Sequence, residues 1–261
     1  MAEGDTILRA ARRIEKAIGG ERVKVTTPNP RGRASGVQQL DGRTLERAEA
    51  RGKHLLLRFD DLVLHSHLGM SGSWHVYRRG ASWRKPTGSA WAALKGGSSE
   101  AVQFGGPTLR LLTAGALRRD PTLSRLGPDI LAQDFKAEPV VRRLRTDPHR
   151  TLGDALLDQA LVAGIGNIFK SESCFAARLD PWAPVGDLFD EELALVVQAA
   201  HDLMRNAVEH GRHGRSVYRR AGRPCPTCAT PILSRGQGDS NRTTYWCPNC
   251  QPTFSTSSGQ H

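Results

Sequence analysis

Two short stretches, RPCPTC and YWCPNC, constrain this chain more than anything else in it. They supply Cys225, Cys228, Cys247 and Cys250, two Cys-x-x-Cys pairs with eighteen residues between them. Each pair delivers two sulfurs from one tight turn, and the intervening residues suit a hairpin that folds one pair onto the other. Four thiolates in tetrahedral array fit a zinc ion and leave no open coordination position. The expected metal, one Zn2+, is therefore structural rather than catalytic. Binding worth on the order of 10 kcal/mol would fold a hairpin too small for a core of its own. Two redox pairs or two disulfides would use the same residues, and a cytosolic setting argues against both. Cys174, in SESCFAAR, falls at an apolar helical position and reads as a buried thiol.

At the other end, MAEGDTILRA sets two carboxylates within the first five residues of a chain with net charge +11. Ile7, Ala11, Ile14 and Ile18 recur at helical spacing, and Gly19-Gly20 end the run like a C-cap. Glu3 and Asp5 would complement the positive end of that helix dipole. A chemical reading stands beside the electrostatic one: an N-terminal amine held next to Glu3 is a nucleophile with an acid at hand.

The balance of 37 basic to 26 acidic residues, with pI near 10.0, makes a polyanion the expected partner. No basic amphipathic helix with a strongly apolar face stands out, which favours nucleic acid over an anionic membrane surface. Mean hydropathy is −0.44, and no run approaches the roughly 18 apolar residues of a membrane span. Arg9, Arg12 and Arg13 break any signal-peptide pattern, so the expected location is the cytoplasm.

Residues 1–117 read as a helix followed mainly by strands, among them HLLLRF (54–59), LVLHSHL (62–68), EAVQF (100–104) and TLRLLT (108–113). Residues 118–131 look like a Pro- and Asp-rich linker, and 132–215 turn helical in PVVRRLRTD, TLGDALLDQALV and EELALVVQAAHDLMRNAVEH. The zinc hairpin occupies 216–252, and 253–261 form a disordered tail. His65 and His67 alternate along a strand and so share a face, as a metal pair would need. With no third ligand evident, packing or DNA contact is the expected use.

The stretch ALLDQALVAGIGNIFKSE reads as helix, glycine-interrupted turn, helix, with Asn167 at the start of the second helix. N–H groups at that N-terminus would suit a DNA phosphate, although a plain helical hairpin has the same pattern. The stretch closely resembles the helix–two-turns–helix motif of the formamidopyrimidine-DNA glycosylase and endonuclease VIII family of base-excision repair enzymes. The resemblance runs through nearly the whole chain in order: MAEGDT, RGKHLLL around Lys53, HSHLGMSG around Met70, LGPD at 126–129, VYRRAGRPCPTC and NRTTYWCPNCQ.

The resemblance implies an α+β multidomain fold: an N-terminal catalytic β-sandwich with a flanking helix, then a helical domain and a zinc-binding hairpin. Damaged double-stranded DNA would bind to a monomer located with the nucleoid, and a damaged nucleotide would be flipped out of the stack. The amine of Ala2 would attack the deoxyribose, displace the base and form a Schiff base, with Glu3 managing protons at the sugar. Lys53, Asn167 and Arg242 would grip backbone phosphates, and Met70 would fill the void left by the flipped nucleotide.

Two departures from the family pattern matter. Most members carry proline where this chain has Ala2. Formamidopyrimidine-type members also carry a DPRRFG-like segment whose Arg and Phe enter the duplex, whereas the nearest text here, RRDPTLSRLG, lacks that pair. Only GRHGRS separates the last long helix from VYRR, which leaves little room for a loop that caps 8-oxoguanine. The HLGMSG match points toward the formamidopyrimidine type, and the other two features toward endonuclease VIII, which is the reading adopted. A damaged-DNA-binding paralogue with decayed chemistry would explain Ala2, but Glu3 and Lys53 are retained. A zinc-ribbon adaptor would explain the cysteines and leave MAEGDT and GIGN without purpose.

Overall fold

The computed structural model describes residues 2–211, 214–239 and 241–253. Apart from Thr253, the expected disordered tail lies outside the described residues. The chain divides into two compact units, Met1–Arg125 and Leu126–His261, and the division falls inside the stretch read as a linker.

The first unit opens with helix α1 (Gly4–Ile18), whose Ile7, Ala11, Ile14 and Ile18 are buried as their spacing requires. The Gly19 N–H donates to the Glu15 carbonyl at 2.8 Å, and Gly20 turns the chain at φ +75°. There follow β1 (Lys24–Thr26), α2 (Pro30–Ala34), β2 (Arg47–Arg51), β3 (His54–Phe59), β4 (Leu62–His67), β5 (Ser73–Arg78), β6 (Ala90–Lys95), β7 (Ser99–Phe104) and β8 (Thr108–Thr113). Two one-turn helices close the unit, α3 (Ala114–Arg118) and α4 (Pro121–Ser124).

The strands form two antiparallel sheets, ordered β1-β6-β7-β5 and β2-β3-β4-β8. Leu55, Leu57 and Leu64 from one sheet share a core with Leu94 and Ala101 from the other and with the α1 isoleucines. This is a β-sandwich with a helix built into its core. Side chains alternate across a strand, so His54, Leu56, Val63, His65 and Arg110 lie on the face of the second sheet away from that core.

Strands β2 and β6 carry weaker signals. RAEAR and AWAALK are rich in Ala and charged residues, which prefer helices, and β2 is an edge strand whose charge pattern suits solvent.

The second unit contains α5 (Glu138–Leu144), α6 (Leu152–Ala155), α7 (Asn167–Ala176), α8 (Asp190–His210), β9 (Leu233–Gln237) and β10 (Arg242–Trp246). Helix α7 packs against α8 and β10, and α5 against α8. The helix expected over 151–162 is only one turn. Asp158 accepts the Ala160 N–H at 2.8 Å. Gln159 donates to the carbonyls of Leu157 (2.8 Å) and Ile165 (3.0 Å) and accepts from the Gly164 N–H (3.0 Å). These side chains take backbone groups that a longer helix would have used. No helix among the described residues is long and apolar enough to cross a membrane.

Candidate active site and metal centre

The first unit gathers four of the sequence-identified elements at one end of β3 and β4. Glu3 occupies the N-cap position of α1 without capping it by its side chain, and it is buried, as is Asp5. The bland electrostatic reading would leave both carboxylates in solvent, and a buried carboxylate is expensive unless partners hold it. The nitrogen of Ala2 donates to the Gly69 carbonyl at 3.3 Å, which ties the chain start to the loop after β4. That loop is tight. Gly69 has φ +56°, and a Cβ on Gly72 would lie 2.6 Å from the Leu68 carbonyl oxygen. Met70 projects from it 71% exposed, an apolar side chain presented to solvent on a rigid turn.

Lys53 sits in the two-residue turn between β2 and β3. Gly52, at φ +56°, takes the first turn position, and Arg51 pairs with His54 across it. His54 in turn pairs with His67, two residues before Gly69. Lys53 is close enough to His67 that, after burial, its charge is the second cause lowering the His67 pKa.

The two strand histidines have a third companion that their own strand could not reveal. His54, on the neighbouring strand, has its ring centroid 5.1 Å from that of His65 and 4.8 Å from that of His67. These rings do not make a metal site: among the described residues the four cysteines are the one group able to hold an ion. Instead His54 Nδ1 lies 2.9 Å from His65 Nε2, and Arg110 Nε donates to His65 Nδ1 at 3.0 Å. Arg110 also pairs with Asp120, whose other oxygen accepts the Thr122 and Leu123 N–H groups and so caps α4. Burial, then His65 and His67, push the His54 pKa down to about 3; burial and then Arg110 push His65 down to about 4.

In the second unit, Gly166 occupies the N-cap of α7 and has no side chain with which to cap it. Asn167 follows, buried, and donates through Nδ2 to the Thr243 carbonyl on β10 at 2.7 Å. Its Oδ1 is buried without a hydrogen-bond partner. Arg242, next to Thr243 and exposed, begins β10 just after the β9–β10 turn. The structure therefore brings Asn167 and Arg242 together through one backbone contact.

Four buried polar residues behind them escaped the sequence reading. Lys170, fully buried, donates to Thr244 Oγ1 at 2.5 Å. Thr244 donates to Gln237 Oε1 at 2.6 Å, and Gln237 Nε2 reaches the Thr151 hydroxyl (2.9 Å) and the Pro181 carbonyl (2.7 Å). Glu172 accepts the N–H groups of Ser216, Val217 and Tyr218 at 2.8, 3.1 and 2.8 Å, fixing the approach to the cysteine hairpin. The signal was present in NIFKSES: a charged pair, Lys170 and Glu172, inside an otherwise small and apolar helix.

The cysteine sulfurs all lie within 4.8 Å of one another, with contacts of 3.4 Å (Cys228–Cys250), 3.5 Å (Cys228–Cys247) and 3.8 Å (Cys225–Cys250). Tetrahedral bonds of about 2.3 Å put sulfurs about 3.8 Å apart, so the set fits a bound metal ion. The Thr227 N–H points to Cys225 Sγ and the Cys250 N–H to Cys247 Sγ, both at 3.4 Å, as suits thiolates. Hydrogen bonds from Thr230, then Asn249, pull Cys228 down to about 5. Cys174 lies apart, fully buried, and burial pushes its thiol up to about 12.

Comparison with known proteins agrees with this geometry. Residues 1–104 match the formamidopyrimidine-DNA glycosylase N-terminal domain, and residues 126–219 match the formamidopyrimidine-DNA glycosylase H2TH domain. The chain is 40% identical to "Probable endonuclease 8 2" of Streptomyces coelicolor over 96% of this chain and 94% of that one. It is 34% identical to "DNA-(apurinic or apyrimidinic site) lyase Nei2" of Mycolicibacterium smegmatis over 96% and 99%. The fold is shared with the formamidopyrimidine-DNA glycosylase of Lactococcus lactis, solved bound to DNA containing an abasic site: TM-score 0.82, 23% identity, 96% and 100% coverage. With both of its units matched and full-length relatives of this kind, the chain belongs to the formamidopyrimidine-DNA glycosylase family, on its endonuclease VIII-like side.

Proposed function

We propose that this protein is a bifunctional DNA glycosylase and abasic-site lyase that removes oxidised bases, pyrimidines foremost, from damaged double-stranded DNA. The observation that carries the proposal is the Ala2 nitrogen held at the Gly69 carbonyl, with buried Glu3 next to it and the Lys53 turn one strand away. Once Met1 is removed that nitrogen is an α-amine. An α-amine with a pKa near 8 is roughly 10% unprotonated at pH 7, against less than about 0.1% for an ordinary lysine. It attacks C1′ of the flipped nucleotide, the glycosidic C–N bond breaks, and the base leaves with the bonding pair and a proton. Glu3 delivers a proton to O4′, the C1′–O4′ bond opens, and a protonated imine remains on Ala2. Loss of a C2′ proton then expels the 3′ phosphate by β-elimination. Proline would give a permanently charged iminium, whereas the imine on Ala2 must stay protonated to be an equal electron sink.

Lys53, Asn167 and Arg242 bind phosphates, and Met70 occupies the space vacated by the base. Exposure of Met70 and Arg242, and the place of Asn167 as the first residue of α7, support these roles. The cysteines hold one structural zinc, a monomer suffices, and the setting is the cytoplasm at the nucleoid. Borohydride reduction on abasic-site DNA tests the core of this reading. The mature protein should be trapped with the linked peptide beginning at Ala2, and retained Met1 should abolish trapping. Efficient trapping through a lysine would refute it.

A further inference from the structure

The chain of contacts from Asp120 to His54 has a direction. A guanidinium has no acceptor, so at the 3.0 Å contact Arg110 Nε–H donates and His65 Nδ1 carries a lone pair. The proton of His65 is then on Nε2. At 2.9 Å from His54 Nδ1 that proton is donated, which leaves Nδ1 of His54 unprotonated as well and its proton on Nε2. Both rings are neutral by geometry alone, because adding a proton to either Nδ1 would cost the bond it accepts. The Arg110 charge is matched by Asp120, whose second oxygen is anchored by the first N–H groups of α4.

The relay ends at the residue following Lys53. His54 is the first residue of β3, and both His54 and His65 are buried. We propose that Asp120, Arg110, His65 and His54 form a directional hydrogen-bond relay that locks the His54 ring in its Nε2-protonated form and so holds the Lys53 turn ready for a DNA phosphate. His54 and His65 are thus positioning residues, acting through Lys53. The inference rests on the phosphate-binding reading of Lys53.

The charged and titratable groups around the rings come from every element packed there: Lys53 on the turn, His67 on β4, Arg110 on β8 and Asp120 at α4. Asp120 alone favours ring protonation, while burial, Arg110 and the other imidazoles oppose it. Burial works against ionisation of Asp120 too, but the Leu123 N–H and Arg110 hold its pKa below the ordinary value. The two relay rings therefore stay neutral across the range where free histidines titrate.

The test has two arms, both on the full zinc-loaded chain. Nitrogen-15 NMR of the imidazoles should show His54 and His65 as Nε2–H tautomers that do not titrate between pH 8 and pH 5. A Nδ1–H form of either, or titration near the ordinary value, overturns the relay. The second arm is a double-mutant cycle read by affinity for a duplex with a tetrahydrofuran abasic analogue. Arg110→Gln, whose amide can donate or accept, should weaken binding by about fivefold to tenfold and add an acid limb to its pH profile. Lys53→Ala should weaken binding comparably, and the double variant should be no weaker than Lys53→Ala alone. Additive losses would mean that Arg110 acts structurally, and the positioning role falls. If Lys53→Ala leaves affinity unchanged, the phosphate reading of Lys53 fails instead, and the positioning role with it, whatever the NMR shows of the tautomers.

Discussion

Thr244 is the point at which the cysteine hairpin is fastened to α7, and its removal has a calculable cost. Thr244→Val keeps the shape and deletes one hydroxyl that takes part in two bonds. One is the charge-assisted bond from Lys170 Nζ at 2.5 Å, and the other is its own donation to Gln237 Oε1 at 2.6 Å. Hydrogen bonds to a charged group are worth about 1.5–3 kcal/mol, and neutral ones about 0.5–1.5 kcal/mol. The replacement methyl returns about 0.8 kcal/mol of apolar burial. The net loss is about 2–3 kcal/mol, all of it within the second unit. Hydrogen-exchange mass spectrometry of peptides from 152–176 and 233–246, at rising urea, reads that unit alone. Exchange in both peptides should accelerate together, while peptides from α1 and β3 keep their protection. Affinity for abasic DNA should fall as well, because Thr243 holds the Asn167 amide at 2.7 Å. A stability change under about 0.5 kcal/mol would show that the buried Lys170–Thr244–Gln237 network does not fasten the hairpin, and the reasoning would fail.

Other expectations follow from the same geometry. Cys247→Ser should lower zinc content, measured by atomic absorption, and DNA affinity together; Arg242→Ala should keep the zinc and reduce the salt dependence of binding by about one unit of slope. Acid should destabilise the first unit through its histidines. Their folded pKa values, about 3 for His54 and about 4 for His65, lie below the ordinary 6.5, so the unfolded chain takes up protons first. Stability is thus full above pH 6.5 and is lost as pH falls toward 4, by several kcal/mol, measurable as a falling urea midpoint between pH 7 and pH 5. Single-turnover excision should be faster on thymine glycol than on 8-oxoguanine opposite cytosine, since a non-planar ring costs less to unstack. The opposite order would favour a formamidopyrimidine-type enzyme.

Much of this arrangement is legible in the amino-acid order because its signals are local. The α1 isoleucines, the apolar runs of β3 and β8, and the paired cysteines each announce themselves within a few residues. Helix α6 did not, since the side chains of Asp158 and Gln159, good enough in a helix, are spent on turn backbone instead. His54 was invisible for a different reason. Its importance lies in register, opposite His67 and diagonal to His65, and register between strands is a property of the sheet rather than of either strand. Lys170 and Thr244 meet across 74 residues of sequence, and nothing local in either says that the other is its partner.

Buried polar residues are the common thread among the positions that sequence reasoning missed. A polar group taken from water costs free energy unless it is bonded, so a fold retains such groups where placement matters more than stability. In the first unit Glu3, Asp5, His54, His65 and Asp120 are buried, around the Ala2 nitrogen, the Lys53 turn and the relay that ends beside it. In the second, Asn167, Lys170, Glu172, Gln237 and Thr244 are buried, and all lie at α7 or on the hairpin strands that it grips. Gln251 extends the pattern to the metal centre, where it accepts the Cys247 N–H at 2.9 Å and donates to the Leu179 carbonyl at 2.8 Å. Glu100 and Asp180 are exceptions with local duties, bonding the Trp83 indole and the Trp182 N–H. The exposed residues assigned to DNA, Met70 and Arg242, have no such bonds of their own among those described here. Each instead adjoins a segment that buried groups or glycine geometry hold rigid: Gly69 before Met70, and Thr243 and Thr244 after Arg242. A side chain that must meet a phosphate or fill a gap in a duplex gains little from internal partners and much from a fixed root, and that is how this chain has distributed its polar residues.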